Sequence, residues 1–284
     1  MILAGITLFQ PDMERLKENI DSIINQVDAV VCIDNGSENI SDIKMLLSEY
    51  NQIDLVENGE NVGIARALNQ MFEHAQKTGH EWVLTLDQDS VCPDNLICEY
   101  KKHFDIEKLG MLCPLLDDRN YGQEESQSGE IEEVQRCITS AALSPVKVWE
   151  AVGGFFEELF IDFVDHDFCA KLQENGYKIV RVNTTHLLHE IGRAQNHNVG
   201  GVRLFTTLNH GSFRKYYMAR NWYYYIKAHK QVLDTKQEWI KYYFFFLKTF
   251  FFEDNKIEKW KAMVKGNKDA KVMCARLRVN NRGE

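Results

Sequence analysis

The sequence predicts an α/β fold, a Rossmann-like and mostly parallel sheet flanked by helices, with a helical appendage at its C-terminal end. Three observations carry that expectation. Short apolar, β-branched runs alternate with stretches of helical period through the first hundred residues. Each apolar run ends in a loop of Asp, Asn, Gly and Ser, as βα turns do. From Phe213 onward the composition turns basic and aromatic. With 284 residues, 44% hydrophobic and 26% charged, the chain can pack one large domain plus an appendage. The expected division is an α/β domain over 1–212 and a helical region over 213–284.

Residues 2–9 form a short apolar strand that Pro11 stops. From Asp12, Met13, Leu16, Ile20, Ile23, Ile24 and Val27 recur at helical spacing. Residues 29–33 are a second strand, ending at Asp34-Asn35-Gly36-Ser37. Ile40, Ile43, Leu46, Leu47 and Tyr50 give a second helix capped near Asn39 or Ser41. Residues 53–56 are a third strand, followed by the polar loop 57–63. Ile64, Leu68, Met71, Phe72 and Ala75 mark a helix closed by Gly79. The fourth strand runs from Trp82 into Asp87-Gln88-Asp89, and Pro93 suits the first position of the next helix. Right-handed crossovers then place the loops 34–37, 58–63 and 87–90 along one edge of the sheet, where ligands of open α/β sheets collect. Further on, the acidic stretch 117–133 reads as an exposed loop or hairpin, and 136–143 resumes strand character. Residues 148–156 hold a Gly153-Gly154 turn, and 162–175 a loop entering a helix. Residues 177–182 and 185–189 are two strands. Gly192–Gly201, with glycine at both ends and little apolar content, is expected to be a mobile segment.

The net charge of −9 argues against a general nucleic-acid binder. The seven cysteines form no C-x-x-C pair, which excludes zinc ribbons and redox dithiols and suits buried free thiols in a reducing cytosol. The N-terminus lacks a basic region and a small-residue cleavage site, so it reads as a strand, not as a signal peptide. No apolar run is long enough for a membrane span.

The stretch Trp82–Ser90 holds the sharpest chemistry. Two carboxylates at one strand end raise each other's pKa unless a cation sits beside them. Hard Mg²⁺ or Mn²⁺ is the suitable partner for oxygen ligands. A capped strand end with solvated acids is the plain alternative.

Taken in order, Thr7-Leu8-Phe9, Asp34-Asn35-Gly36-Ser37, Asn61-Val62-Gly63-Ile64-Ala65, Asp87-Gln88-Asp89, Gly153-Gly154-Phe155 and the run Phe160–Asp167 resemble the motifs of family 2 inverting glycosyltransferases of the GT-A fold. Within that family they are most similar to the bacterial rhamnosyltransferase branch of cell-surface polysaccharide synthesis. The resemblance covers roughly residues 1–225. It implies a hexosyltransferase that moves a sugar, L-rhamnose from dTDP-L-rhamnose, onto a lipid-linked or polysaccharide acceptor with Mg²⁺ or Mn²⁺ as cofactor. UDP-galactofuranose, UDP-glucose or a UDP-N-acetylhexosamine remain alternative donors. By the same resemblance Thr7, Asp34, Asn61, Gly63, Arg66 and Asp87 contact the nucleotide sugar, Asp34 through its base and Arg66 through its phosphates. Asp89 and His189 are the implied metal ligands, with His186 as competitor to His189. Asp165 is the implied general base and Asp167 its rival, both at a helix start that favours ionised carboxylates. Arg220 and Asn221 match a later segment that lines the acceptor side or reaches the diphosphate; the alternative is that they pin helix to core. Thr139-Ser140-Ala141 stands where the family carries a glycine turn, which leaves the sugar open.

The aromatic run 239–252, with Lys241 and Lys248, is too short to span a bilayer and long enough to lie on one. A membrane surface, the catalytic domain or a second copy of the chain are its expected partners. Two rival classes remain. A nucleotidyltransferase carries a glycine-rich basic loop after its first strand, and here that place holds Gln10-Pro11-Asp12-Met13. A non-catalytic scaffold that binds nucleotide sugars would keep the fold without turnover.

Overall fold

A computed structural model describes residues 1–118, 122–123, 129–189, 195–199, 202–207 and 209–280. The chain divides into two compact units, 1–160 with 164–190 and 161–163 with 191–284.

The first unit opens with four βα steps. β1 (Ile2–Leu8) leads to α1 (Met13–Ile23), β2 (Ala29–Asp34) to α2 (Ile40–Leu47), β3 (Ile53–Glu57) to α3 (Ile64–Thr78), and β4 (Trp82–Asp87) to α4 (Leu96–Lys101). All seven residues of β1 are buried, as a central strand with helices on both faces requires. Asp12 caps α1 by accepting from the Glu14 and Arg15 backbone N–H groups. Asn39 holds the cap position of α2, and Gly79 ends α3 in the left-handed conformation at φ +75°. Pro93 stands outside its helix: α4 starts at Leu96, whose N–H bonds the Pro93 carbonyl in a turn.

Next come β5 (Leu109–Asp118), the two-residue β6 (Gly122–Gln123), β7 (Ile131–Glu133), β8 (Ala142–Pro145), α5 (Val146–Ala151), a 3₁₀ turn (Glu157–Leu159), α6 (Val164–Glu174) and β9 (Lys178–His189). The sheet order is β3-β2-β1-β4-β8-β5-β9-β7, with β6 pairing β5. The pairs among β1 to β4 are parallel, and so is β5 with β9. β8 runs antiparallel between β4 and β5 and therefore leaves those two pointing the same way. The strand expected over 136–143 is shorter and later, starting at Ala142. The two strands expected over 177–189 are one. β9 continues past a register shift in which Pro114 pairs Val182 and Leu115 pairs His186. Thr184 and Thr185 in that bulge hold Glu99 and Asn95 through their hydroxyls. Cys32 and Cys92 are buried free thiols whose pKa burial pushes up to about 12, so they are inert at neutral pH.

In the second unit β10 (Gln195–Val199) pairs antiparallel with β11 (Val202–Thr207), so part of the segment expected to be mobile is strand. Its remaining residues lie outside those described. Three helices follow: α7 (Ser212–Ala228), α8 (Thr235–Phe252) and α9 (Lys256–Asn280). α7 and α9 approach so closely at Gly266 that a Cβ there would lie 2.4 Å from the Tyr216 carbonyl oxygen. Phe245 of α8 packs with Ala219 and Met263, and the buried Lys215, Glu253 and Lys259 join α7 to the α8–α9 turn. Among the described residues no helix is long and apolar enough to cross a membrane.

Candidate active site

The register of the sheet assembles the first part of the site. Thr7 pairs Asp87 on β4, and Leu8 pairs Asp34 on β2. The two aspartates therefore end the strands on either side of β1, roughly 10 Å apart at the usual strand spacing. β9 runs in the same direction as β4, so the His189 backbone ends at this edge too, three strand places away. The His189 side chain lies outside the described residues. α6 is joined to β9 by a tight turn at Gly176 and packs back along it, which carries its first turn, with Asp165, to the same edge. β8 starts there as well, so Thr139-Ser140-Ala141 lies beside the end of β4. The Thr85 hydroxyl donates to the Thr139 carbonyl, and the Ser90 and Ser140 hydroxyls bond at 2.5 Å. Ala141 takes φ +56°, the conformation a glycine would occupy, and the Tyr100 hydroxyl clamps its carbonyl at 2.7 Å.

Each expected residue has a definite environment. Asp34 is buried, and its carboxylate accepts from the Gly36 and Ser37 N–H groups, shaping the 34–37 turn. A carboxylate has about four lone-pair sites, so this leaves acceptor capacity. Thr7 is buried on β1. The Asn61 side chain accepts from Gly63 N–H at 3.0 Å. Gly63 has φ +86°, and a Cβ there would stand 2.6 Å from the Phe160 ring. The Ile64 N–H meets the Phe160 carbonyl, which ties this loop to the segment before Asp165. Asp87 is partly buried and Asp89 exposed at the strand end. Gln88 between them accepts from the Phe9 N–H at 2.8 Å.

Arg66 does not stand as an open cation for phosphates. Its guanidinium holds both oxygens of Glu73 and one of Glu157, and the Glu73 hydrogen bonds raise its pKa. Phosphate contact would require those pairs to open.

The two candidate bases differ sharply. Asp167 is completely buried and ion-paired with Lys171 at 3.1 Å, and Lys171 also donates to the Gly154 carbonyl. Asp165 is partly exposed, and its Oδ1 accepts from His166 N–H and pairs with His166 Nδ1, both at 2.8 Å. Burial pushes the Asp165 carboxyl up, but the His166 charge and hydrogen bonds outweigh it, so the pKa falls below the ordinary value. Burial pushes His166 down, and Asp165 more than reverses that.

Asn221 is fully buried, and its amide donates to the Ile161 and Asp162 carbonyls at 2.8 and 2.9 Å. Phe160, Asp162 and Phe163 all have positive φ, at 63°, 64° and 65°. Such backbone persists only where its surroundings hold it. Asn221 is thus a clamp on the segment entering α6. Arg220 bonds Asn221 Oδ1 and stacks on Tyr217 with its guanidinium carbon 4.6 Å from the ring centre.

Other residues of the edge are absent from the sequence-based set. Asn19 of α1 donates to the Asp87 carbonyl, and Asn69 of α3 makes four hydrogen bonds, to Phe155 N–H and carbonyl, Glu157 and Trp149. Both are buried polar residues within an apolar helical stripe, and that misfit is the signal that would have found them.

Asp87 and Asp89 are hard oxygen donors at one strand end and fit a divalent cation. Among the described residues no group of three His, Cys, Asp or Glu side chains is arranged to hold one.

The sheet, its crossovers and this edge define a glycosyltransferase of the GT-A class. The chain belongs to glycosyl transferase family 2, whose model matches residues 12–171. It is 26% identical over 236 residues to the dTDP-rhamnosyl transferase RfbF of Shigella flexneri, covering 78% of each chain. Its fold is similar to that of S. aureus TarS residues 1–349, with TM-score 0.60 at 15% identity, over 95% of this chain and 80% of that one. It is also similar to GalNAc-T7 with UDP, GalNAc and Mn²⁺, with TM-score 0.60 at 12% identity, over 86% of this chain and 54% of the other.

Proposed function

We propose that the protein transfers L-rhamnose from dTDP-L-rhamnose to a lipid-linked glycan acceptor, with inversion at the anomeric carbon. The observation that supports this most is that the strand end with Asp87 and Asp89 and the start of α6 with Asp165 lie along the same edge of one sheet, and that of the two α6 acids Asp165 is partly exposed while Asp167 is buried. The rhamnosyl donor is favoured by the relative named above as a dTDP-rhamnosyl transferase. UDP is bound by solved TarS and GalNAc-T7 structures, which keeps UDP-sugars as the alternative.

In this reading residues 1–212 carry the reaction and 213–284 the acceptor side. The 34–37 turn, Thr7 and the Asn61–Gly63 loop receive the nucleoside, and Asp87 faces its ribose. Asp89 and His189 would hold the cation, which would supply Lewis-acid neutralisation of the diphosphate. Asp165 takes the proton from the acceptor hydroxyl. The freed oxygen pair attacks the anomeric carbon as the bond to the diphosphate oxygen breaks on the opposite face. Asp165 is ionised at neutral pH, as an ordinary carboxyl is, His166 lowers its pKa further, and Asn221 fixes the backbone that leads to it.

A thermal-shift panel of dTDP-L-rhamnose, UDP-galactofuranose, UDP-glucose and UDP-N-acetylglucosamine, with Mn²⁺ or with excess chelator, tests the donor and the metal. A ligand at a hundred times its Kd stabilises the folded protein by about 2.7 kcal/mol. The dTDP-L-rhamnose shift should be the largest and should shrink in chelator. A larger shift with a UDP-sugar would replace the donor, and equal shifts in chelator would remove the metal.

A further inference from the structure

The solvent side of α8 carries a run of exposed apolar side chains. Ile240, Tyr243, Leu247 and Phe251 follow one another at helical intervals of three and four residues, with Phe244 and Phe250 beside them. All six are between 41% and 62% exposed. The opposite side of the same helix, Glu238, Tyr242, Phe245 and Thr249, is buried. There the Tyr242 hydroxyl donates to the Ala219 carbonyl. The apolar stripe from Ile240 to Phe251 is therefore about 17 Å long at the helical rise. It is a second face, additional to the one that packs the helix. Single exposed apolar residues are ordinary, but a continuous stripe of aromatic and aliphatic side chains marks an interaction surface.

Charge identifies the partner. Residues 235–280 carry eleven Lys and Arg against five Asp and Glu, while the whole chain has a net charge of −9. Lys236, Lys241 and Lys248 lie on α8 itself: Lys236 is exposed, Lys241 is about half exposed and ion-paired with Glu238 at 3.2 Å, and Lys248 is partly buried. An apolar helical face with lysines along it is the form that lies in a bilayer interface and draws anionic headgroups. A second copy of the chain fits less well. A two-fold contact through this face would set the same lysines against one another. α8 carries four charged residues and does not qualify as a membrane span, so it would lie along the surface.

We propose that the exposed face of α8 seats the protein on an anionic lipid bilayer surface, with Ile240, Tyr243, Leu247 and Phe251 entering the headgroup boundary and the lysines meeting lipid phosphates. This goes beyond the transfer reaction and holds whichever sugar is moved. It also supplies a reason for a lipid-linked acceptor, which would be held at the same surface.

The test is flotation of the full chain with phosphatidylcholine vesicles and with vesicles containing 30 mol% phosphatidylglycerol. The protein should float with the anionic vesicles, and binding should fall at least tenfold in 0.5 M NaCl or without phosphatidylglycerol. Leu247→Asp with Phe251→Asp should lose at least tenfold in vesicle binding while keeping the wild-type melting temperature and nucleotide-sugar shift. Wild-type protein that stays with the bulk solution, or a double variant that floats as well as wild type, overturns the proposal. So does a concentration-dependent dimer in light scattering that the double variant abolishes, since the stripe would then belong to a second copy. The nucleotide-sugar shift separates these failures from failure of the transferase reading.

Discussion

Replacing Asn221 by Ala removes two N–H donors and leaves the Ile161 and Asp162 carbonyls without them. An acceptor stranded in a fully buried place costs about 1–3 kcal/mol. Both bonds here are partly buried, so water recovers some of that, and the expected loss is about 2–3 kcal/mol. At about 2–4 °C per kcal/mol the melting temperature should fall by roughly 4–12 °C. The functional effect follows from the backbone. The positive φ angles at Asp162 and Phe163 stand just ahead of Asp165, and relaxing them moves the base. A displacement near 1 Å can cost about a hundredfold in rate. Steady-state kinetics should therefore show a fall in kcat with little change in donor KM. Asn221→Asp, equal in size but turning a carboxylate oxygen toward those two carbonyls, should lose at least as much. An Asn221→Ala protein with wild-type melting and unchanged kcat would refute this reasoning.

Two further outcomes are expected. The Asp165–His166 pair should set a pH window. The lowered Asp165 pKa contributes stability above the unfolded carboxyl value of about 3.9, lost as pH falls through the folded pKa; the raised His166 pKa contributes below about 6.5, lost as pH rises through its folded value. Transfer should quicken as His166 loses its proton and Asp165 becomes the stronger base, and His166→Gln should flatten that limb in a pH–kcat profile; superimposable profiles would contradict it. Gly63→Ala should cost about 1–3 kcal/mol from its backbone angle alone, with further loss from the Phe160 clash, read as a lower urea midpoint; an unchanged midpoint would mean the loop relaxes freely.

Much of the sheet edge was legible in the sequence because βα alternation and strand-ending polar loops are local patterns. Asp34, Asp87 and Gly63 sit where periodicity and loop chemistry put them. Less legible were features set by tertiary pairing. The antiparallel β8 between β4 and β5 has no local signature, and a three-residue bulge hides that β9 is one strand. Arg66 looks like a phosphate ligand in one dimension, while Glu157, distant in sequence, helps hold it in three. The separation of Asp165 from Asp167 likewise depends on Lys171 sealing one of them. Asn221 could be matched as a motif residue, but its bonds to the Ile161 and Asp162 carbonyls some sixty positions earlier are a property of packing.

The most direct measurement compares Asp165→Asn with wild type in single-turnover transfer and in donor thermal shift. General-base help is typically worth ~10²–10⁴-fold, so transfer should drop by that order while the donor shift persists. An Asp165→Asn protein that transfers at the wild-type rate would contradict the assignment of Asp165 as the base.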